Sequence, residues 1–385
     1  MRKKNFLLVT PGTFHYFDLA KALNKKNQLV RIITGYPKFK LTKFKLPNDL
    51  IISSGFFQIM IQCFNKVRIN LNNFFLSTIQ IFGFKKVDNL ALNYLNDSDV
   101  LLALSGCGLK SGNFFKENNK IYICERSSSH ILFINEILKE EYAKYGIKFN
   151  IDQRIIKREL KEYEQSDFVL VPSKFAQNTF KKYNIFKTKV LTFPSNNKIF
   201  KSKNKKKIFF SSNKFKIIYV GSLSLRKGLP YLLDAFNRLN FKGKELHLVG
   251  LKTNDYRLFK HKIDFSKTIL HGHLSQSKVN NLLNKSDVFV MPSLEEGAAI
   301  AVAQAMNTGL PVIVTKNTGW EEVVRKNNTG YVIDIKNSKM LYQKLNHLSK
   351  NKSILQKFSR NSLKYSKNKT WDNYVSQLNH LVNTV

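Results

Sequence analysis

Two stretches in the second half of the chain carry residues whose types and spacing suit an anionic, hydroxyl-rich ligand. The first is Gly221-Ser-Leu-Ser-Leu-Arg226-Lys227-Gly228, which follows the β-branched run Ile217 to Val220 and precedes a helical pattern with apolar Leu232, Leu233, Ala235 and Phe236. A strand, a glycine-containing turn, two cations and a helix start make an anion site. Backbone N–H groups and the helix dipole face the ligand, and Arg226 and Lys227 neutralise it. Gly221 and Ser222 open this turn, and a diphosphate would suit it. It is not a Walker A loop, because Arg226 stands at the second-glycine position and Gly228 where Ser or Thr would bind magnesium. A plain solvated turn is the alternative.

The second stretch runs Glu295-Glu296-Gly297-Ala298-Ala299-Ile300-Ala-Val-Ala-Gln304-Ala-Met306 and is followed by Gly309-Leu-Pro-Val-Ile-Val-Thr315. Small residues at 297 to 299 let a ligand approach the backbone where a helix begins, and Glu296 stands at that mouth. Gln304 lies about two helical turns on and is expected to share a face with the entrance. Two polar side chains on an otherwise apolar helix suit a polyhydroxylated ligand. The alternative is an alanine-rich core helix with an exposed acidic cap.

The elements that must position these groups follow from the hydrophobic pattern. Short β-branched runs, among them Phe6 to Thr10, Val30 to Thr34, Val100 to Ser105, Ile121 to Glu125, Phe168 to Val171, Leu246 to Gly250, Val288 to Met291 and Val312 to Thr315, alternate with helical spacing. His130 to Tyr145 places Ile131, Ile134, Ile137, Leu138, Tyr142 and Tyr145 on one helical face. Such alternation gives parallel sheets wrapped by helices. Ser166-Asp-Phe-Val-Leu-Val-Pro-Ser173 recurs almost position for position as Ser286-Asp-Val-Phe-Val-Met-Pro-Ser293, each a buried strand ending in a serine placed to cap the next helix. Asp97 to Ser105 is a weaker relative. The repeat predicts two similar doubly wound domains with ligand crevices at the carboxyl ends of their strands. Gly12 and His15 after the first strand, and Arg126, Ser127 and His130 after Glu125, are expected to line such a crevice. A lone histidine is more often structural than catalytic.

These pieces resemble the family-4 retaining glycosyltransferases, in VGSLSLRKG (220 to 228), SDVFVMPSLEEGAAIAVAQAMNTGLPVIVT (286 to 315), Gly319 and Gly330. In the first half GTFHYFDLAKAL (12 to 23), TGYP (34 to 37) and ERSSSHILFINEILKEEYAKYG (125 to 146) look like members that build surface polysaccharides. The resemblance implies an α/β GT-B fold, two Rossmann-like domains facing each other across a cleft. Residues 1–195 would form the acceptor-side domain, 196–216 a linker, 217–369 the nucleotide-sugar domain and 370–385 a helix crossing back to the first domain. It also implies a nucleotide diphosphate sugar as donor, no cofactor and no metal, and transfer with retention to a glycan or lipid-linked glycan. Arg226 and Lys227 would hold the diphosphate, Glu296 would contact the transferred sugar, and backbone groups from Gly297 to Ile300 would support it. His130 would join the catalytic set, with Gly12, His15, Arg126 and Ser127 on the acceptor side. The family's paired glutamates are here Glu296 and Gln304, an amide that bonds ribose hydroxyls without charge. The segment Phe193 to Asn197 also lacks the family's glycine-containing turn. A sugar-nucleotide epimerase of the same architecture is the second enzyme reading.

A length of 385 residues with 43% hydrophobic content fits two domains. Cys63, Cys107 and Cys124 have neither disulfide nor metal-ligand spacing, which points to a reducing compartment. Apolar Phe6 to Val9 is broken by Pro11-Gly12, so the start reads as a strand rather than a signal peptide. The net charge of +38 favours anionic partners. Most of it is lysine beside abundant Asn, Ile and Phe, a bias that an AT-rich coding sequence also produces. No zinc finger, RNP-like motif or recognition helix accompanies the charge, so no specific nucleic acid is expected. No window reaches the roughly 18 to 20 apolar residues that span a bilayer. Leu50 to Phe64 and Ile69 to Phe84 read as amphipathic helices, buried or lying in a membrane interface. The chain is expected in the cytoplasm, with peripheral attachment to the inner membrane face as the alternative to a freely soluble state.

Overall fold

The computed structural model describes residues 3–55, 73–203, 209 and 213–385. Seven parallel strands form a first sheet: β1 (Phe6–Thr10), β2 (Leu29–Thr34), β3 (Ile51–Ser53), β4 (Val100–Leu104), β5 (Ile121–Glu125), β6 (Phe168–Val171) and β7 (Thr188–Val190), in the order β3-β2-β1-β4-β5-β6-β7. Six more form a second: β8 (Phe215–Val220), β9 (Lys244–Val249), β10 (Thr268–Gly272), β11 (Val288–Met291), β12 (Val312–Thr315) and β13 (Gly330–Ile333), in the order β10-β9-β8-β11-β12-β13. Strands β1, β4, β6, β11 and β12 are almost wholly buried, which is why they read as continuous apolar runs. Strand order reverses between β1 and β4 and between β8 and β11, and crevices open at such switch points. The expected pair of doubly wound domains is present.

Four helices place the site: α1 (Tyr16–Lys25), α4 (Ile131–Ala143), α7 (Leu229–Arg238) and α9 (Ile300–Asn307). Helices α2 (Asn73–Ala91) and α3 (Leu109–Glu117) lie between α1 and α4, while α5 (Gln153–Gln165), α6 (Lys174–Lys182) and α8 (Gln276–Lys285) come between the others. After them follow α10 (Glu321–Asn327), α11 (Ser338–Lys350), α12 (Lys352–Ser366) and α13 (Trp371–Val382). Helix α13 folds back onto α1. Tyr374, Val375, Leu378 and Val382 enter the core beneath the first sheet, and Lys25 pairs with Asp372 at 3.0 Å.

Helix α4 is shared by the two halves. Ile134, Ile137 and Leu138 pack with Leu294 of the second half. Tyr231 Oη donates to Glu141 at 2.8 Å, and Lys336 pairs with Glu140 at 2.7 Å. Tyr142 donates to Asp255 at 2.9 Å, and the same carboxylate oxygen accepts the Leu225 N–H at 2.7 Å, so α4 reaches the turn that carries Arg226.

Two sequence expectations change, and a third holds over its described part. Ser173 does cap α6, accepting the Ala176 N–H at 3.1 Å, but Ser293 caps nothing: six residues intervene before α9, and its buried hydroxyl has no partner among the described residues. Leu50 to Phe64 is not one helix, because Ile51–Ser53 adds to the sheet edge beside β2. Residues 56–64, with Phe56, Phe57 and Cys63, lie outside the described residues, as do 204–208 and 210–212 of the proposed linker. Ile69 to Phe84 overlaps α2, where Phe84 is buried while Phe74 and Phe75 are exposed.

Candidate active site

The turn after β8 is shaped by glycine. Gly228, at φ +65°, caps α7 in the left-handed region, and a Cβ there would sit 2.0 Å from the Pro292 carbonyl oxygen. A side chain at this position would push the cation loop off the end of β11. Gly221 is similarly confined, with Tyr219 Oη 2.7 Å from the place of a Cβ. Tyr219 in turn donates to the Ser222 carbonyl at 2.6 Å.

Each cation of this loop meets an acid from the loop after β11. Arg226 Nε and Nη2 donate to Glu295 Oε2 at 3.0 and 2.7 Å, and Lys227 pairs with Glu296. Burial pushes the Lys227 ammonium down to about 7, assisted by the Arg226 charge and opposed by Glu295. Burial acts to raise Glu295, but Arg226 and hydrogen bonds from Ser128 and Ser129 outweigh it and hold the carboxyl at about 2. Each cation is thus matched by a carboxylate, so the loop does not present a bare pair of cations.

The loop from Glu295 to Ala299 is not helical, and α9 begins only at Ile300. Glu296 consequently does not share a helical face with Gln304, which is half-buried on α9. Trp320 Nε1 fixes the loop by donating to the Ala299 carbonyl at 2.9 Å. Ala298 and Ala299 are buried, while Ile300 is exposed at the start of α9. Gly297 faces the first half: a Cβ would lie 2.1 Å from the Ser127 carbonyl oxygen and 2.7 Å from Ser128 Cα. Ser173 Oγ donates to the Gly297 carbonyl at 2.5 Å from the same side.

On the first half, Gly12 and His15 stand at the end of β1. His15 Nε2 lies 2.7 Å from Glu125 Oε1, its ring stacks on Phe193 at 3.9 Å, and Ser127 Oγ donates to the same Glu125 oxygen at 2.9 Å. These groups join the Ser127 turn that touches Gly297. Arg126 is drawn inward, to Glu159 at 2.6 Å, Ser105 Oγ at 3.0 Å and the Ser129 carbonyl at 3.0 Å, which makes it a strut of the turn. His130 needs correction as a catalytic candidate. It is 0% exposed, caps α4 by accepting the Leu132 N–H at 3.3 Å, and packs on Tyr163, Phe180 and Tyr183. Burial and the Arg126 charge push it down to about 3, so the imidazole is neutral and enclosed.

The sequence gives little warning of Glu295, Ser128, Ser129 and Ser173, which join the halves around the site. Two adjacent acids mirroring two adjacent cations are the one local signal.

Two doubly wound parallel sheets, with a cation loop at the switch point of the second and the turns of the first closing over it, define the GT-B class of fold. A family model described as glycosyl transferases group 1 matches residues 200–365. An uncharacterized glycosyltransferase of Methanocaldococcus jannaschii is 26% identical over 183 residues, covering 46% of this chain and 50% of the relative. The capsular polysaccharide biosynthesis glycosyltransferase CapM of Staphylococcus aureus is 25% identical over 175 residues, covering 42% and 45%. The chain thus spans about half the length of these curated relatives. The crystal structure of Anabaena Alr3699/HepE in complex with UDP superposes with a TM-score of 0.72 at 15% identity, covering 99% of this chain and 100% of that one.

Proposed function

We propose that this protein transfers a glycosyl group from a nucleotide diphosphate sugar to an acceptor hydroxyl with retention of configuration, in the synthesis of a surface polysaccharide or glycolipid. The observation that carries the reading is the set of two cation–carboxylate pairs, Arg226 with Glu295 and Lys227 with Glu296, at the carboxyl ends of β8 and β11 where the strand order reverses. The group 1 match covers both loops, and the S. aureus relative bears a capsular polysaccharide name. Both favour a transferase over an epimerase.

Arg226 and Lys227 bind the donor diphosphate and stabilise the charge that grows on its oxygens as the glycosyl bond breaks. Without donor, Lys227 and Glu296 neutralise each other. An incoming diphosphate competes for Lys227 and frees the Glu296 carboxylate for the hydroxyls of the transferred sugar. Gly221, Ser222 and the backbone of Gly297 to Ile300 line the donor side, and Gln304 bonds ribose hydroxyls. The acceptor, a glycan or lipid-linked glycan, enters beside Gly12, His15 and Ser127. Attack comes from the face the diphosphate leaves, and the departing phosphate takes the acceptor's proton, a scheme that asks for no metal or cofactor.

Among the described residues no helix is long and apolar enough to cross a membrane. The excess of lysine together with exposed Phe74, Phe75 and Phe82 supports attachment to an anionic membrane face. Thermal stabilisation by a panel of nucleotides and sugar nucleotides tests the donor reading: one base and sugar should raise the melting temperature, and no response to any of them would refute it.

A further inference from the structure

The chemistry above gives Glu295 no contact with substrate, yet it is among the most constrained side chains in the molecule. It is 0% exposed and uses both oxygens. Oε2 accepts Nε and Nη2 of Arg226, while Oε1 accepts Ser128 Oγ at 2.6 Å and the Ser129 N–H at 2.9 Å. Ser128 Oγ also accepts Arg226 Nη2 at 2.9 Å, closing the ring of contacts. Ser128 and Ser129 follow β5 in the first sheet, whereas Arg226 and Glu295 follow β8 and β11 in the second. One carboxylate therefore joins the two halves. Two residues further on, the Gly297 backbone presses against Ser127 closely enough to exclude a methyl group.

A buried carboxylate must keep its partners, because stripping them away leaves an uncompensated charge. If the halves separate, Glu295 loses both serine donors and keeps only the guanidinium. Arg226 loses the Ser128 oxygen and with it one of the contacts that fix its plane. The guanidinium is planar, so holding Nε and Nη2 also sets the direction of Nη1, which takes no part in these bonds.

We propose that Glu295 is a positioning residue and an interdomain clamp: it orients Arg226 so that Nη1 is left for a phosphate oxygen of the donor, and it does so fully only when the Ser127–Ser129 turn has closed over the second half. The phosphate part of this inference rests on the reading of Arg226 as a donor-phosphate residue. The clamp itself rests on the bonds between the halves.

Two measurements separate those parts. In the first, UDP, GDP and ADP are titrated into the wild-type protein, Glu295→Gln, Arg226→Ala and the double variant. Glu295→Gln should weaken the bound nucleotide on the order of tenfold, since one partner of a buried charged hydrogen bond is altered. The same change in the Arg226→Ala background should add less than about twofold, because a residue that acts through another is non-additive with it. Full additivity, or an unchanged affinity in Glu295→Gln, would overturn the positioning role. In the second, small-angle scattering compares nucleotide-free wild type with Glu295→Gln and Ser128→Ala. A larger radius of gyration in both variants is expected, and an unchanged one would overturn the clamp. Should Glu295→Gln fail to fold, Ser128→Ala should still weaken nucleotide by about threefold, the loss of one hydrogen bond, and no loss would count against the proposal. If wild type binds none of the three, nor any nucleotide or sugar nucleotide of the stabilisation panel, the donor reading falls and takes the positioning role with it, while scattering still decides the clamp.

Discussion

Replacing His130 by Asn separates a structural histidine from a catalytic one. In the folded protein the imidazole is enclosed by Tyr163, Phe180 and Tyr183 and held at about 3, so it stays neutral well into acid. In the unfolded chain an ordinary histidine takes up a proton near pH 6.5. Between these values the unfolded state binds the proton that the native state refuses, so stability falls as pH drops from about 6.5 towards about 3. Each unit is worth about 1.4 kcal/mol, so at pH 5 the histidine costs the fold about 2 kcal/mol that it does not cost at neutral pH. Asn retains an oxygen to cap α4 but cannot titrate. His130→Asn should be less stable than wild type near pH 7.5, by about 1 to 3 kcal/mol of lost ring packing. That deficit should shrink by about 2 kcal/mol at pH 5. Urea unfolding at the two pH values reads the difference directly. Nucleotide binding and turnover should stay within a few-fold of wild type, where loss of a general acid or base would cost roughly 10² to 10⁴. A deficit that does not change with pH, or a turnover loss of that larger size in a folded variant, would refute the assignment.

Removing both cations with Arg226→Ala and Lys227→Ala should abolish transfer while the protein remains folded by circular dichroism; a near wild-type rate would remove this loop from the site. Glu296→Gln should lower turnover by roughly 10²-fold without weakening nucleotide diphosphate affinity, because the role of the acid is toward the sugar and the diphosphate no longer competes with it for Lys227; calorimetry beside steady-state kinetics separates the two. Gly297→Ala would set a methyl carbon 2.1 Å from the Ser127 carbonyl oxygen, so the halves must part; an enlarged radius of gyration with lost turnover is expected, and normal kinetics would argue against closure at this contact. Liposome flotation should show binding that requires anionic lipid and weakens with salt, and absence of binding at low salt would refute membrane attachment.

What could be read from the sequence divides along a physical line. Interior strands such as β1, β4, β11 and β12 are buried on both faces and announce themselves as apolar runs. The strands without such a signal, β3, β7, β10 and β13, are the four sheet edges, where one neighbour is missing and most residues are not fully buried. The cation loop and Glu296 could be put forward from sequence because glycine, charge and helix start lie within a few residues. Glu295 was not, since its role depends on Ser128 and Ser129, which only the fold brings near. His130 misleads for the same reason. Its position after a strand suggests a crevice, while the rings that bury it come from α5 and from α6 and the residue after it. The Pro-Ser repeat is real as sequence, yet only Ser173 caps a helix, because the second copy is followed by the irregular loop that carries Glu295 and Glu296.

The central claim, that the two cation–carboxylate pairs form a sugar-nucleotide transferase site, is tested most directly by following nucleoside diphosphate release from a panel of sugar nucleotides with purified protein. The account predicts release from one donor, faster with a glycan or lipid-linked glycan acceptor, unaffected by chelator and lost in the Arg226→Ala, Lys227→Ala variant. Release that persists in that variant, or none from any donor and acceptor offered to folded protein, would contradict it.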